Sequence, residues 1–220
     1  MRHTGTYLVL TLALALVACK KDEAECPDPA PPAPTPAMDI AAFSHLDSGN
    51  YWVYERFRVD SMDVPDPTNY RRDSLYIAGD TLVDGYTWKV VRLAVNGVPS
   101  GQLEFWRDSA NYLLKYYRSA LFATNYFDQA FYIDSIQAPS TLAIHYAVGS
   151  NPVSVSVPTG TYTSYLVTGT CYSYGGFPTI PAWKYPRTYW VEGIGRVKWY
   201  AYFMNGNTGY RYQLVNYHVD

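Results

Sequence analysis

The chain has 220 residues and a formal net charge of −2. With no excess of Lys and Arg and no basic stripe, nucleic acid is excluded as an expected partner. Aromatic residues form 17% of the chain, 23 of them Tyr, and charged residues only 16%, below the usual quarter; this mix suits half-wet β surfaces better than long charged helices.

The N-terminus has the three-part form of an export signal. Arg2 gives the positive start, and Tyr7 to Val17 is apolar except for Thr11. That run is too short to span a bilayer, which takes about 20 apolar residues. Leu16-Val17-Ala18-Cys19 follows at its end and resembles the lipobox of bacterial lipoproteins. The resemblance implies a signal peptide over 1–18, cleavage before Cys19, and lipid on the Cys19 thiol. Acyl chains such as palmitate gain roughly 0.8 kcal/mol per buried methylene, so several chains on one residue anchor stably.

Residues 19–38 carry the charged tag Lys20-Lys21-Asp22-Glu23-Ala24-Glu25 and then Pro27, Pro29, Pro31, Pro32, Pro34 and Pro36. The tag resembles the export tag of surface lipoproteins. It implies an outer-membrane anchor, with the domain either displayed on the surface or facing the periplasm. Proline fixes φ and donates no backbone hydrogen bond, so the rest reads as an extended spacer. Beyond Cys19, the two remaining thiols, Cys26 and Cys171, have the parity for a disulfide in an oxidising compartment.

Residues 39–220 read as one β domain. Ser119 to Asp134 is the one helical candidate, since Leu121, Phe122, Tyr126, Phe127, Ala130 and Phe131 fall near helical spacing. Elsewhere period two dominates. The first strand is Tyr51 to Val59, with Tyr51, Val53, Phe57 and Val59 on the face taken as apolar and Trp52 and Tyr54 opposite. Asp60 to Asn69 reads as a loop. Ser74 to Ile77 and Thr81 to Val83 are strands about a Gly79-Asp80 turn, and Asp84-Gly85 is a hairpin turn. Tyr86 to Val95 changes phase, which predicts a bulge near Val90-Val91. Asn96-Gly97 turns the chain. Gln102 to Arg107 and Tyr112 to Tyr117 form a hairpin, and strands continue over 142–148, 153–157, 162–172, 187–192, 195–203 and 210–219. About ten strands at even spacing predict a mainly β fold: an antiparallel open half-barrel or barrel, with at most one or two short helices.

Val157-Pro158-Thr159-Gly160-Thr161-Tyr162, followed by Tyr189-Trp190-Val191-Glu192-Gly193-Ile194-Gly195-Arg196-Val197-Lys198, resembles the closing half of the DUF3108/TapB-like envelope domains, which are similar to the LolA/LolB lipoprotein carriers. The resemblance runs from Val157 to the C-terminus. It implies an open β half-barrel with an apolar concave face.

No catalytic constellation stands out, and a non-enzymatic chain without cofactor is expected. His45, His145 and His218 lack metal-ligand spacing. Gly193-Ile194-Gly195 lacks the third glycine of a phosphate cradle. Glu55, Glu104 and Glu192 are the strand-borne candidates for acid–base work on glycosides. Asp60, Asp63 and Asp66 offer oxygen ligands without EF-hand spacing. Four residues are the ligand-binding candidates: Glu55, Trp88, Trp199 and Phe203. Glu55 falls in the apolar phase of its strand, which demands a partner, with Arg92 or Arg107 the expected one. Besides the membrane, the expected partners are an apolar ligand or envelope protein held in the half-barrel, or alternatively a glycan stacked on exposed Trp and Tyr.

Overall fold

The computed structural model describes residues 38–220 except 118, 137–141, 177 and 204–205. One short helix, α1 (Ala41–Ser44), precedes β1 (Tyr51–Asp60), β2 (Pro65–Val83), β3 (Tyr86–Val95), β4 (Val98–Ser109), β5 (Tyr112–Lys115), β6 (Ser119–Ala123) and β7 (Ala130–Ile136). Then come β8 (Leu142–Val148), β9 (Val153–Val157), β10 (Gly160–Ser173), a 3-10 turn at Ala182–Lys184, β11 (Arg187–Val191), β12 (Gly195–Tyr202) and β13 (Thr208–His218). The strands form one sheet in the order β6-β5-β4-β3-β2-β1-β13-β12-β11-β10-β8-β7, with β9 added beside the start of β10. Every ladder is antiparallel. Strands β6 and β7 end the order on opposite sides, yet Ser119 Oγ and Tyr132 Oη lie 3.5 Å apart. The sheet has rolled until its edges nearly meet, and the mainly β barrel expected from period two is the fold observed.

Turn chemistry sets the hairpins. Asp84-Gly85 and Asn96-Gly97 both have positive φ at each residue, the geometry that matches strand twist in a two-residue turn. Inside the barrel, Trp52, Tyr54, Trp106, Phe122, Trp190 and Leu214 join one buried cluster. Each large apolar side chain so buried contributes about 1.5–3 kcal/mol.

Helix α1 packs into this cluster. Phe43 is 1% exposed, and its ring centre lies 5.0 Å from Phe122 and 5.8 Å from Tyr165. Gly193 N–H donates to Ala42 O at 2.8 Å. Gly195, at φ +97°, lets the helix come close: a Cβ there would sit 3.1 Å from Phe43 O. A satellite cluster joins Leu142, Ile144 and Cys171 to Ile180 from the β10–β11 connection.

Four local expectations are corrected. Ser119 to Asp134 is not a helix: β6 and β7 occupy it, separated by a turn with positive φ at Asn125 and Asp128. The helical spacing there came from side chains split between two strands. Pro65 to Val83 is one 19-residue strand, and Gly79 is not a turn. Its prolines stay near the strand start, where a missing donor costs little. The bulge expected in β3 sits at the same level but on its neighbour: Ile77 pairs Val91 and Gly79 pairs Val90, leaving Ala78 extra on β2. Finally, the inner face of β1 as far as the register shift after Phe57 is the one with Trp52 and Tyr54, 3% and 1% exposed, so Val53, Glu55 and Phe57 face outward, while Val59 beyond the shift is buried as expected.

Candidate functional site

The outer wall over β3–β5 carries an aromatic groove of about 380 Å³. Its position follows from strand parity. Val91 points into the core, so Tyr86 and Trp88, in the other phase of β3, point out. Trp106 likewise points in, so Arg107 beside it points out, opposite Leu114 of β5. Tyr116 and Tyr117 follow β5 and complete the lining with Asp84 of the β2–β3 turn.

Within the groove Trp88 is the floor. It is 6% exposed, and its Nε1–H donates to Val83 O at 3.3 Å. The Arg107 guanidinium carbon lies 4.1 Å from the Tyr86 ring centre and 4.9 Å from that of Trp88. Such stacking contributes about 0.5–2 kcal/mol, more as water is excluded. Tyr116 sets its edge to Trp88 at 5.5 Å and lies 4.5 Å from Tyr117. Tyr116 Oη donates to Asp84 Oδ2 at 3.2 Å, and this bond to a carboxylate raises the phenol's pKa. The rim is open: Tyr86 is 55% and Tyr117 86% exposed. Tyr117 also holds φ +71°, a left-handed conformation that is uncommon for a bulky residue and clusters at functional positions.

Among the described residues, the aromatic centre of the barrel offers no comparable room. The space among Phe43, Trp52, Tyr54, Trp106 and Trp190 is about 10 Å³, at most one water molecule. The concave face expected to be open is filled by α1 and by aromatic side chains of the wall.

The four ligand-binding candidates do not converge. Trp88 lies in the groove, but as its buried floor. Trp199 packs against its own barrel, stacked on Tyr212 at 4.2 Å, with the Arg196 guanidinium 3.9 Å from its ring centre and Tyr54 edge-on at 4.5 Å. Phe203, 43% exposed, follows β12 and sets its edge to Tyr210. Glu55 lies on the outer face, where Arg72 is its cross-strand neighbour. Arg72 Nη2 is 3.4 Å from Glu55 Oε1, and Tyr70 Oη donates to the same oxygen at 3.1 Å. The expected partners Arg92 and Arg107 are thus replaced by Arg72, because the face assignment of β1 was inverted.

Other candidates are spent on structure. Glu104 accepts from Trp106 Nε1 at 2.9 Å and pairs with Lys115 at 2.7 Å. Asp63 pairs with Arg211 and accepts from Tyr200 Oη; Asp60 accepts from the amides of Met62 and Val64, and Asp66 from Thr68. His145 packs tilted against Tyr172 at 4.6 Å, and His218 faces Asp220 at 3.4 Å. Cys171 is buried and forms no disulfide among the described residues, and burial raises its thiol's pKa. Its expected disulfide partner Cys26, like the lipidation site Cys19, lies outside the described residues.

Sequence reasoning missed Tyr86, Arg107, Tyr116, Tyr117 and Asp84 as a group. Their signal was the second apolar phase of β3. Tyr86, Trp88 and Val90 read as evidence for a bulge, when they mark an outer surface that is itself aromatic.

No family model matches the chain, and no curated protein matches it, so the likeness of its last third to the DUF3108/TapB-like domains gains no support there. Two solved structures are similar in fold. One is a proposed exported protein with a YmcC-like fold from Bacteroides fragilis, at TM-score 0.48 and 10% identity, covering 78% of this chain and 96% of that one. The other is a proposed lipoprotein from Parabacteroides distasonis, at TM-score 0.42 and 12% identity, covering 80% of this chain and 98% of that one.

Proposed function

We propose that the chain is a non-enzymatic cell-envelope lipoprotein, anchored to the outer membrane through Cys19, whose barrel binds carbohydrate in the groove over β3–β5. The anchor rests on the sequence: an apolar run too short to span, ending in Leu16-Val17-Ala18-Cys19. The binding role rests on one observation, the open aromatic rim of Tyr86 and Tyr117 on the outer wall. Sugar rings present flat C–H faces that pack on aromatic rings, and hydroxyls that a polar tip such as Arg107 or Asp84 can bond. An apolar ligand in the lumen is the weaker reading, since Phe43 and its neighbours already occupy that space.

The binding role is tested by affinity electrophoresis of the mature chain through gels containing a panel of neutral and acidic polysaccharides. At least one should retard it, and Tyr117→Ala should cut that retardation about tenfold, the effect of losing roughly 1.4 kcal/mol. Unretarded migration through every gel would overturn the carbohydrate reading. For the anchor, Cys19→Ser should shift the protein out of the detergent phase on phase separation, and unchanged partitioning would remove the lipoprotein claim. For display, replacing Lys21, Asp22 and Glu23 with Ala should protect the domain from protease added to whole cells. Equal digestion of both forms would count against an export tag.

A further inference from the structure

Resting on the carbohydrate reading, we infer that the groove selects acidic sugars, with Arg107 holding a saccharide carboxylate while the tyrosine rim covers the ring. Among the described residues Arg107 is the only cation in the groove lining. Its guanidinium carbon lies over the Tyr86 and Trp88 rings. Among the described residues it forms no ion pair, and its Nε has no hydrogen-bond partner although that atom is buried. A guanidinium whose contacts are with rings keeps its Nη donors unspent, and a pair of N–H donors matches a carboxylate with two parallel hydrogen bonds. Within the groove lining the described carboxylate is Asp84, which is engaged by Tyr116 Oη at 3.2 Å; Asp39, Asp47, Asp108 and Asp220 line a separate cavity that Arg107 also borders.

The groove's volume, about 380 Å³, fits one or two sugar rings rather than a long side chain run. An acidic peptide would also bring carboxylates. It would leave the exposed faces of Tyr86 and Tyr117 without a flat partner, so the rim favours a uronic-acid ring.

The experiment measures binding of the mature chain to polygalacturonate, to neutral galactan and to polyglutamate, by calorimetry at two salt concentrations. Polygalacturonate should bind at least tenfold more tightly than the other two, and its affinity should fall as salt rises. Arg107→Gln should abolish that preference. Arg107→Lys keeps the charge but not the fork, and should restore only part of it. Circular dichroism of both variants guards against misfolding, and if Arg107→Gln unfolds, the Lys variant alone decides. Galactan binding equal to polygalacturonate would overturn this inference and leave the carbohydrate reading standing. Polyglutamate binding as tightly as polygalacturonate would overturn the inference in favour of an acidic-peptide site. Failure of both polysaccharides to bind would overturn the inference, and the reading beneath it falls only if the whole gel panel fails as well.

Discussion

Phe43 tests the architecture most directly. Its side chain is 1% exposed and lies in van der Waals range of Phe122 and Tyr165, while Phe122 stacks on Trp190 at 5.1 Å. An aromatic of this size buries about 150–250 Å², which at about 25 cal/mol per Å² sets an upper bound near 4–6 kcal/mol for its transfer. Truncation to Ala in packed cores costs about 3–5 kcal/mol, less where the surroundings settle into the void. Helix α1 has four residues and is tied to the barrel by the Gly193–Ala42 bond. It can settle partway, so Phe43→Ala should cost about 3 kcal/mol, a shift of roughly a hundredfold in the unfolding equilibrium. Phe43→Leu should cost about 1 kcal/mol. Urea unfolding followed by tryptophan fluorescence reads both, because Trp52, Trp106 and Trp190 share the cluster. A Phe43→Ala loss under about 1 kcal/mol would mean that α1 is a loose appendage, and the filled lumen would have to be reconsidered.

Gly169→Ala should destabilise by about 1–3 kcal/mol in the same assay, since its Cβ would come 2.8 Å from Ile144 Cγ2 and 2.9 Å from the Tyr146 ring. Gly149→Ala is the control: its Cβ meets only Leu166 O at 3.7 Å, and a neutral or slightly stabilised protein is expected. Glu55→Gln should leave the urea midpoint unmoved, because its partner Arg72 is a surface group screened by water; a large loss would show that Glu55 is buried after all. Stability should fall steeply in alkali. Burial pushes the Tyr54 phenol up to about 12 from an ordinary 10, opposed by Arg196, and burial does the same for Tyr146. With the folded pKa above the unfolded one, the stabilisation is fully present below pH 10 and lost as pH rises through 12, about 2–3 kcal/mol per phenol. The Tyr54→Phe variant should show a shallower decline between these limits, and parallel curves would refute the assignment.

Period-two alternation and turn chemistry made the barrel legible. Asp84-Gly85 and Asn96-Gly97 name their hairpins outright, because few residue pairs accept positive φ twice in succession. What failed was the choice of faces. In β1 both phases are apolar enough to be the core, and only the partners of Trp52 and Tyr54 across the barrel decide between them: Trp52 Nε1 donates to Ile194 O at 2.6 Å, and Tyr54 Oη to Arg196 O at 2.8 Å. Those partners lie 142 residues away in the chain and have no local signature. The same ambiguity hid the groove. A strand that is apolar on two faces reads as shifted, whereas here one face fills the lumen and the other coats the exterior. Glu55 was misjudged for the same reason, its demand for a buried partner following from an inverted strand.

The near-meeting of β6 and β7 has a consequence for how the domain moves. Elsewhere in the strand order each strand is held by a backbone ladder on both sides, β9 alone lying off that order beside β10, but across this seam the link is the covalent turn from Thr124 to Gln129 and side chains such as Ser119 and Tyr132. The two edges hide each other by facing, which shields them from foreign strands without the stiffness of pairing. The ring is therefore closer to a clasped cuff than to a welded pipe. Its clasp is where amide protons should exchange first, and where the wall can part without breaking any other ladder.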